Sequence, residues 1–131
     1  MKPTAALPLI FAILAALAFS ACSTPVAVDP KSGEDQNARF TAGTFYGPVQ
    51  GEIKPMFRTA IREMDEMGYF RTGEVHREAS ITIYARKVGD EKVKVKLIQL
   101  APGEAEMQIR VGTFGDLPES QKIYSTIRDA L

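Results

Sequence analysis

The sequence predicts an α+β fold: a two-layer sandwich, mainly an antiparallel sheet of four to five strands, with two helices on one face. Three observations lead there. Several segments after residue 43 alternate apolar and polar residues with a period of two. Two segments repeat apolar residues at three and four. Gly- and Pro-containing turn signals separate the alternating runs. Clean alternation leaves one sheet face wet, so both helices are expected on the other face.

The chain has 131 residues, enough for one domain. Sixteen basic and sixteen acidic residues give a net charge of zero, which argues against a nucleic-acid footprint. One Cys and one His exclude an intramolecular disulfide and a Cys/His-caged metal by count. No cofactor is expected.

Residues 1–21 have the form of an export signal. Met1-Lys2 carries the positive start, and Ala5 to Phe19 is an uncharged apolar core. Leu17-Ala18-Phe19-Ser20-Ala21-Cys22 resembles the bacterial lipobox, in which small residues let a peptidase reach the bond before the modified cysteine. Cys22 is therefore expected to carry acyl chains. Several chains on one residue anchor stably where one alone is marginal. The alternatives are an uncleaved apolar anchor and an ordinary cleaved signal with an incidental thiol. Ser23 stands where an Asp would resemble an inner-membrane retention signal. The expected address is the bacterial outer membrane, facing the periplasm.

Residues 22–42 read as the lipidated cysteine and a flexible tether, because Pro25, Pro30, Gly33 and the polar run Lys31 to Asn37 show no apolar period. About 19 such residues reach about 25 Å. From Cys22 onward the chain has 15 basic and 16 acidic residues, since Lys2 is removed, so the mature net charge is −1. General electrostatic adhesion to a bilayer is not expected.

Residues 43–131 form the folded part. Phe45, Val49 and Ile53 share one side of a first strand, whose Pro48 predicts an edge position or a bulge. Pro55 opens a helix with Phe57, Ala60, Ile61 and Met64 on its apolar stripe and Gly68 after its end. Tyr69 to Val75 is a weaker strand. Ser80 to Lys87 turns Ile81, Ile83 and Ala85 inward, and Gly89-Asp90 marks a turn. Lys92 to Leu100 turns Val93, Val95 and Leu97 inward and Lys92, Lys94 and Lys96 outward. Pro102-Gly103 suits a type II turn. Met107, Ile109 and Val111 then face in, and a last helix buries Ile123, Tyr124, Ile127 and Leu131.

Ile109-Arg110-Val111-Gly112-Thr113-Phe114-Gly115-Asp116, followed by a short amphipathic helix, resembles the signature of a family of small bacterial lipoproteins known only as a domain of unknown function. The resemblance extends to the order of signal, cysteine, tether, sheet and closing helix. It implies a periplasm-facing lipoprotein and implies no substrate or catalytic residue.

Three segments carry residues that could do chemistry. Gly112 to Asp116 joins a strand to a helix, where glycine-rich loops can cradle phosphate. Here Asp116 as N-cap and Glu119 three residues on occupy the amide donors and repel an anion. Gly112 and Gly115 then serve special backbone angles, and Phe114 is expected to be tucked under the sheet edge or against the last helix. Lys92, Lys94 and Lys96 form a stripe that, with Tyr84, is the candidate partner surface, against the plainer reading of a solvated face. His76 lies near Glu74, Arg77 and Glu78 with no second His, so neither a metal site nor a Ser/His/Asp arrangement is indicated. The expectation is a non-enzymatic domain that binds or scaffolds an envelope partner. The alternative is a small-molecule or lipid-binding protein with a pocket between helices and sheet.

Overall fold

A computed structural model describes residues 24–26 and 38–131. Residues 1–21, expected to be an export signal, and Cys22, expected to be acylated, lie outside the described residues. The described residues form seven strands and two helices in chain order: β1 (Thr24–Val26), β2 (Ala38–Thr41), β3 (Thr44–Gln50), α1 (Ile53–Glu66), β4 (Phe70–His76), β5 (Ser80–Lys87), β6 (Glu91–Ala101), β7 (Glu104–Val111) and α2 (Leu117–Asp129). All seven strands join one sheet in the order β1-β2-β3-β7-β6-β5-β4, and every neighbouring pair is antiparallel.

The sheet therefore has seven strands where four to five were expected, and the fold, still broadly α+β, is mostly sheet. The two additional strands come from the segment read as a tether. Thr24–Val26 and Ala38–Thr41 pair with each other, and β2 continues the sheet onto β3. Strands of three and four residues are too short to show an alternating period, and Pro25 within β1 signals a linker when read alone. Pro is tolerated there because β1 is an edge strand. The 25 Å reach of a free tether does not apply to a chain already held in the sheet at residue 24.

β3 lies inside the sheet, between β2 and β7, not at an edge. Pro48 is accommodated because the β2 pairing stops at Arg39↔Tyr46, so no β2 residue is paired with it.

One sheet face and both helices enclose the core. Phe45, Ile83, Val95, Leu97, Met107 and Ile109 from the strands meet Met56, Ala60 and Met64 of α1 and Ile123, Tyr124 and Ile127 of α2, all buried. Full burial of each larger side chain stabilises by roughly 1.5–3 kcal/mol. Leu131, expected inside, is exposed, because α2 ends at Asp129. Gly47 permits a close approach of α2 to the sheet: a Cβ there would lie 2.4 Å from the Tyr124 ring. That ring sits 5.1 Å from Phe45, centroid to centroid, and its hydroxyl donates to the Pro48 carbonyl.

α1 begins without a side-chain cap from Glu52. Its first free amide, Ile53 N–H, is instead satisfied by Gln99 of β6 at 2.9 Å. It ends where Gly68 takes a φ of +86°, with Gly68 N–H donating to Asp65 and Tyr69 N–H to Met64, a Schellman closure. Among the described residues no helix is long and apolar enough to cross a membrane.

Candidate functional site

The outer face of the sheet carries the side chains that alternate with the core. Pairing places Tyr84 beside Lys94 and Lys94 beside Arg110 in one row across β5, β6 and β7. The next outward row toward the β5–β6 turn holds Arg86 beside Lys92. Lys96 lies in the row on the other side, between Thr82 and Gln108. Among the described residues, Lys92, Lys94 and Lys96 make no ion pair. Tyr84 is 42% exposed.

Tyr84, Arg86, Lys92, Lys94 and Arg110 border an open groove of about 520 Å³, and Lys96 lies outside it. Tyr84 is its aromatic member, and Arg86, Lys92, Lys94 and Arg110 contribute its charge; among the described residues no acidic side chain lines it. Arg86 is neutralised by Asp90. Among the described residues Arg110 has no carboxylate partner: it donates to the carbonyls of Ala42, at 2.6 Å, and Thr113, and to Thr44 Oγ1 at 3.3 Å. Its guanidinium thereby ties the β2–β3 turn to the β7–α2 loop while leaving its charge uncancelled. The other half of the face differs. Arg39 lies 4.3 Å above the Tyr46 ring and 3.6 Å from Glu106, so charge there is internally balanced.

The Gly112–Asp116 loop is built for shape. Gly112 and Gly115 have φ of +71° and +84°, which favour glycine. A Cβ on Gly115 would lie 2.1 Å from the Gly43 carbonyl oxygen, so the loop packs directly on the β2–β3 turn. Asp116 caps α2 by accepting from Glu119 N–H at 3.0 Å. Phe114 corrects the expectation of burial: its side chain is 91% exposed. The tight glycine contacts hold the Phe114 backbone against Gly43, and the side chain projects outward as a consequence.

The Glu119 carboxylate does not reach back to complete a capping box. It accepts from the Tyr69 hydroxyl and from Lys87 Nζ at 3.1 Å, joining α2 to the start of β4 and the end of β5. The Tyr69 bond holds the Glu119 carboxyl below the usual range despite partial burial, and Lys87 adds to the effect. Burial, with Glu119 next, raises the Tyr69 hydroxyl well above its ordinary value. Tyr69 stands 50 residues from Glu119, so local sequence spacing carries no signal for this contact. Arg110 and Arg86 were also not singled out, although alternation placed Arg110 and Arg86 on the outer face and could have found them.

His76 pairs with Glu74 at 3.1 Å and meets Phe57 edge-on at 5.0 Å. Among the described residues no group of three or more His, Cys, Asp or Glu side chains could hold a metal ion.

The site is thus a solvent-open, cationic strip on one face of a seven-stranded antiparallel sheet, with two helices packed on the other. The chain belongs to the family described as "Protein of unknown function (DUF3568)", which matches residues 5–130. A search of curated proteins gave no match.

Proposed function

We propose that this protein is a non-enzymatic lipoprotein, anchored through acylated Cys22 to the bacterial outer membrane and facing the periplasm. Its small domain binds or scaffolds an envelope partner through the outer sheet face. The observation that carries this reading is the groove beside Tyr84, where Lys92, Lys94 and Arg110 present charge that forms no ion pair among the described residues. Charges left solvated and uncancelled beside an exposed aromatic ring suit recognition of an acidic surface.

The test is site-specific photo-crosslinking in intact cells. A photoreactive residue at Tyr84 should trap one enriched envelope component, and the same residue at exposed Leu100 should not. Equal, scattered adducts at both positions would remove the partner-binding reading. The anchor has its own test: intact mass should show acyl chains on Cys22, and Cys22→Ser should leave the membrane fraction.

A further inference from the structure

The strand register fixes where the chain enters the sheet. Thr24 pairs with Phe40, Phe40 with Phe45, Phe45 with Ile109, Ile109 with Val95 and Val95 with Ile83. Thr24 is the first residue of β1 and pairs near the last residue of β2. Thr24 therefore lies at the end of the sheet that carries the β2–β3 turn, the β5–β6 turn, the β7–α2 loop and the start of β4. Cys22 is two residues earlier, and two residues span at most about 7 Å.

That same end presents the three most exposed large apolar side chains among the described residues: Phe114 at 91%, Val88 at 82% and Phe70 at 64%. Phe114 lies in the β7–α2 loop, Val88 in the β5–β6 turn, and Phe70 opens β4. Loop packing does not bury them. Lys92 and Lys94 stand just behind, and Arg110 beside them. Most acidic groups at this end are already engaged: Asp90 with Arg86, Asp116 as the cap of α2, and Glu119 with Tyr69 and Lys87. Glu91 packs beside Gly112.

We infer that this end of the sheet lies on the bilayer, with Phe70, Val88 and Phe114 entering the headgroup layer and Lys92 and Lys94 meeting lipid phosphates. The inference rests on the Cys22 anchor proposed above and adds an orientation to it. Apolar tips that insert a few ångströms, backed by long cationic side chains, are the features of interfacial membrane contact. The mature chain's net charge of −1 supplies no general attraction; the attraction is local, at the groove, and decays within a Debye length. With this end down, the sheet stands upright: Lys92 and Lys94, at the lower edge of the groove, are shared with the lipid phosphates, while Tyr84 and Arg110 remain open sideways to a partner.

The chain contains no Trp, so one introduced Trp is a clean reporter. The full chain, lipidated in cells, is reconstituted into phosphatidylethanolamine–phosphatidylglycerol vesicles with brominated acyl chains. The reporters are Phe114→Trp and, at the opposite end of β6, Leu100→Trp. Both replaced side chains are exposed, so neither variant disturbs the core. Lys92 and Leu100 are eight residues apart along the strand, about 26 Å. The Phe114→Trp emission should shift to the blue and lose most of its intensity to bromine, whereas Leu100→Trp should remain water-like. Adding Lys92→Gln and Lys94→Gln should weaken the Phe114→Trp quenching at low salt. Acylated, vesicle-bound protein whose Phe114→Trp emission is unquenched, or quenched no more than Leu100→Trp, overturns the orientation and leaves the anchor standing. Protein with no acyl mass that fails to float with the vesicles overturns both.

Discussion

Gln99 Oε1 accepts the Ile53 amide hydrogen at 2.9 Å, so a side chain in β6 caps a helix that starts 46 residues earlier. The same amide group donates through Nε2 to the carbonyls of Ala101 at 2.8 Å and of Gly51 and Glu104 at 3.1 Å. One side chain thus closes the β3–α1 junction and the β6–β7 turn together. Gly51 N–H to Gly103 O, at 2.8 Å, and Gly103 N–H to Glu52 Oε1, at 2.7 Å, complete the joint.

Replacing Gln99 with Ala should therefore remove a helix cap and leave backbone carbonyls short of a donor. The expected loss is about 1–3 kcal/mol, the size of a helix cap plus an unsatisfied polar group. Gln99→Glu should also destabilise, because a carboxylate cannot donate to Gly51, Ala101 and Glu104. Urea denaturation midpoints measure both. Midpoints equal to the parent would show that the joint contributes nothing.

Gly115→Ala should destabilise more than Gly89→Ala. Both positions have positive φ, at +84° and +94°, so each substitution meets a backbone penalty of about 1–2 kcal/mol. A Cβ at Gly89 enters open space, while one at Gly115 lands 2.1 Å from the Gly43 carbonyl. Indistinguishable urea midpoints for the two variants would contradict the packing of the loop on the β2–β3 turn.

Phe114→Ala should change stability by no more than about 0.5 kcal/mol, as expected for an exposed side chain with no packing partner. A buried Phe would cost about 3–5 kcal/mol. Thermal denaturation away from any lipid separates the two, and a large fall in Tm would place the ring in a packed site.

The Glu119 contact makes stability depend on pH in a defined direction. Its carboxyl is held below the ordinary value in the folded state, chiefly by the Tyr69 hydroxyl. The folded state therefore binds fewer protons than the unfolded state as pH falls through the Glu range, near about 4.3. The stabilisation is complete above that range and is lost as pH falls through the depressed folded value. Tyr69 and Tyr124, both raised by burial, act at the other extreme: their stabilisation is present below about 10 and is lost as pH rises. Glu119→Gln should flatten the acid limb of a plot of urea midpoint against pH. An unchanged acid limb would show that Glu119 titrates alike in both states.

Much of the inner layer was legible because it is written in short-range periods. Ile81, Ile83 and Ala85, then Val93, Val95 and Leu97, then Met107, Ile109 and Val111 all face the core as alternation requires. The alternate positions gave Tyr84 and the lysine stripe on the outer face. The groove was not legible, because it depends on Arg110 standing across from Lys94, and pairing between strands is not a property of either strand alone. Phe114 was misread for a related reason. Its apolar character favours burial, but the loop packs on the β2–β3 turn through the backbones of Gly43, Phe114 and Gly115, and the ring stands in solvent.

By itself, the sequence determined which residues are apolar on one side of each long strand and helix, where the hairpins turn, and that Asp116 caps the last helix. These follow from interactions within a few residues, where the chain's own geometry sets the period. Only the tertiary structure decided that Thr24–Val26 and Ala38–Thr41 enlarge the sheet to seven strands, that Gln99 caps α1, and that Tyr69 and Lys87 meet on Glu119. Each of these joins positions far apart in the chain, and such contacts exist only once the core has brought them together.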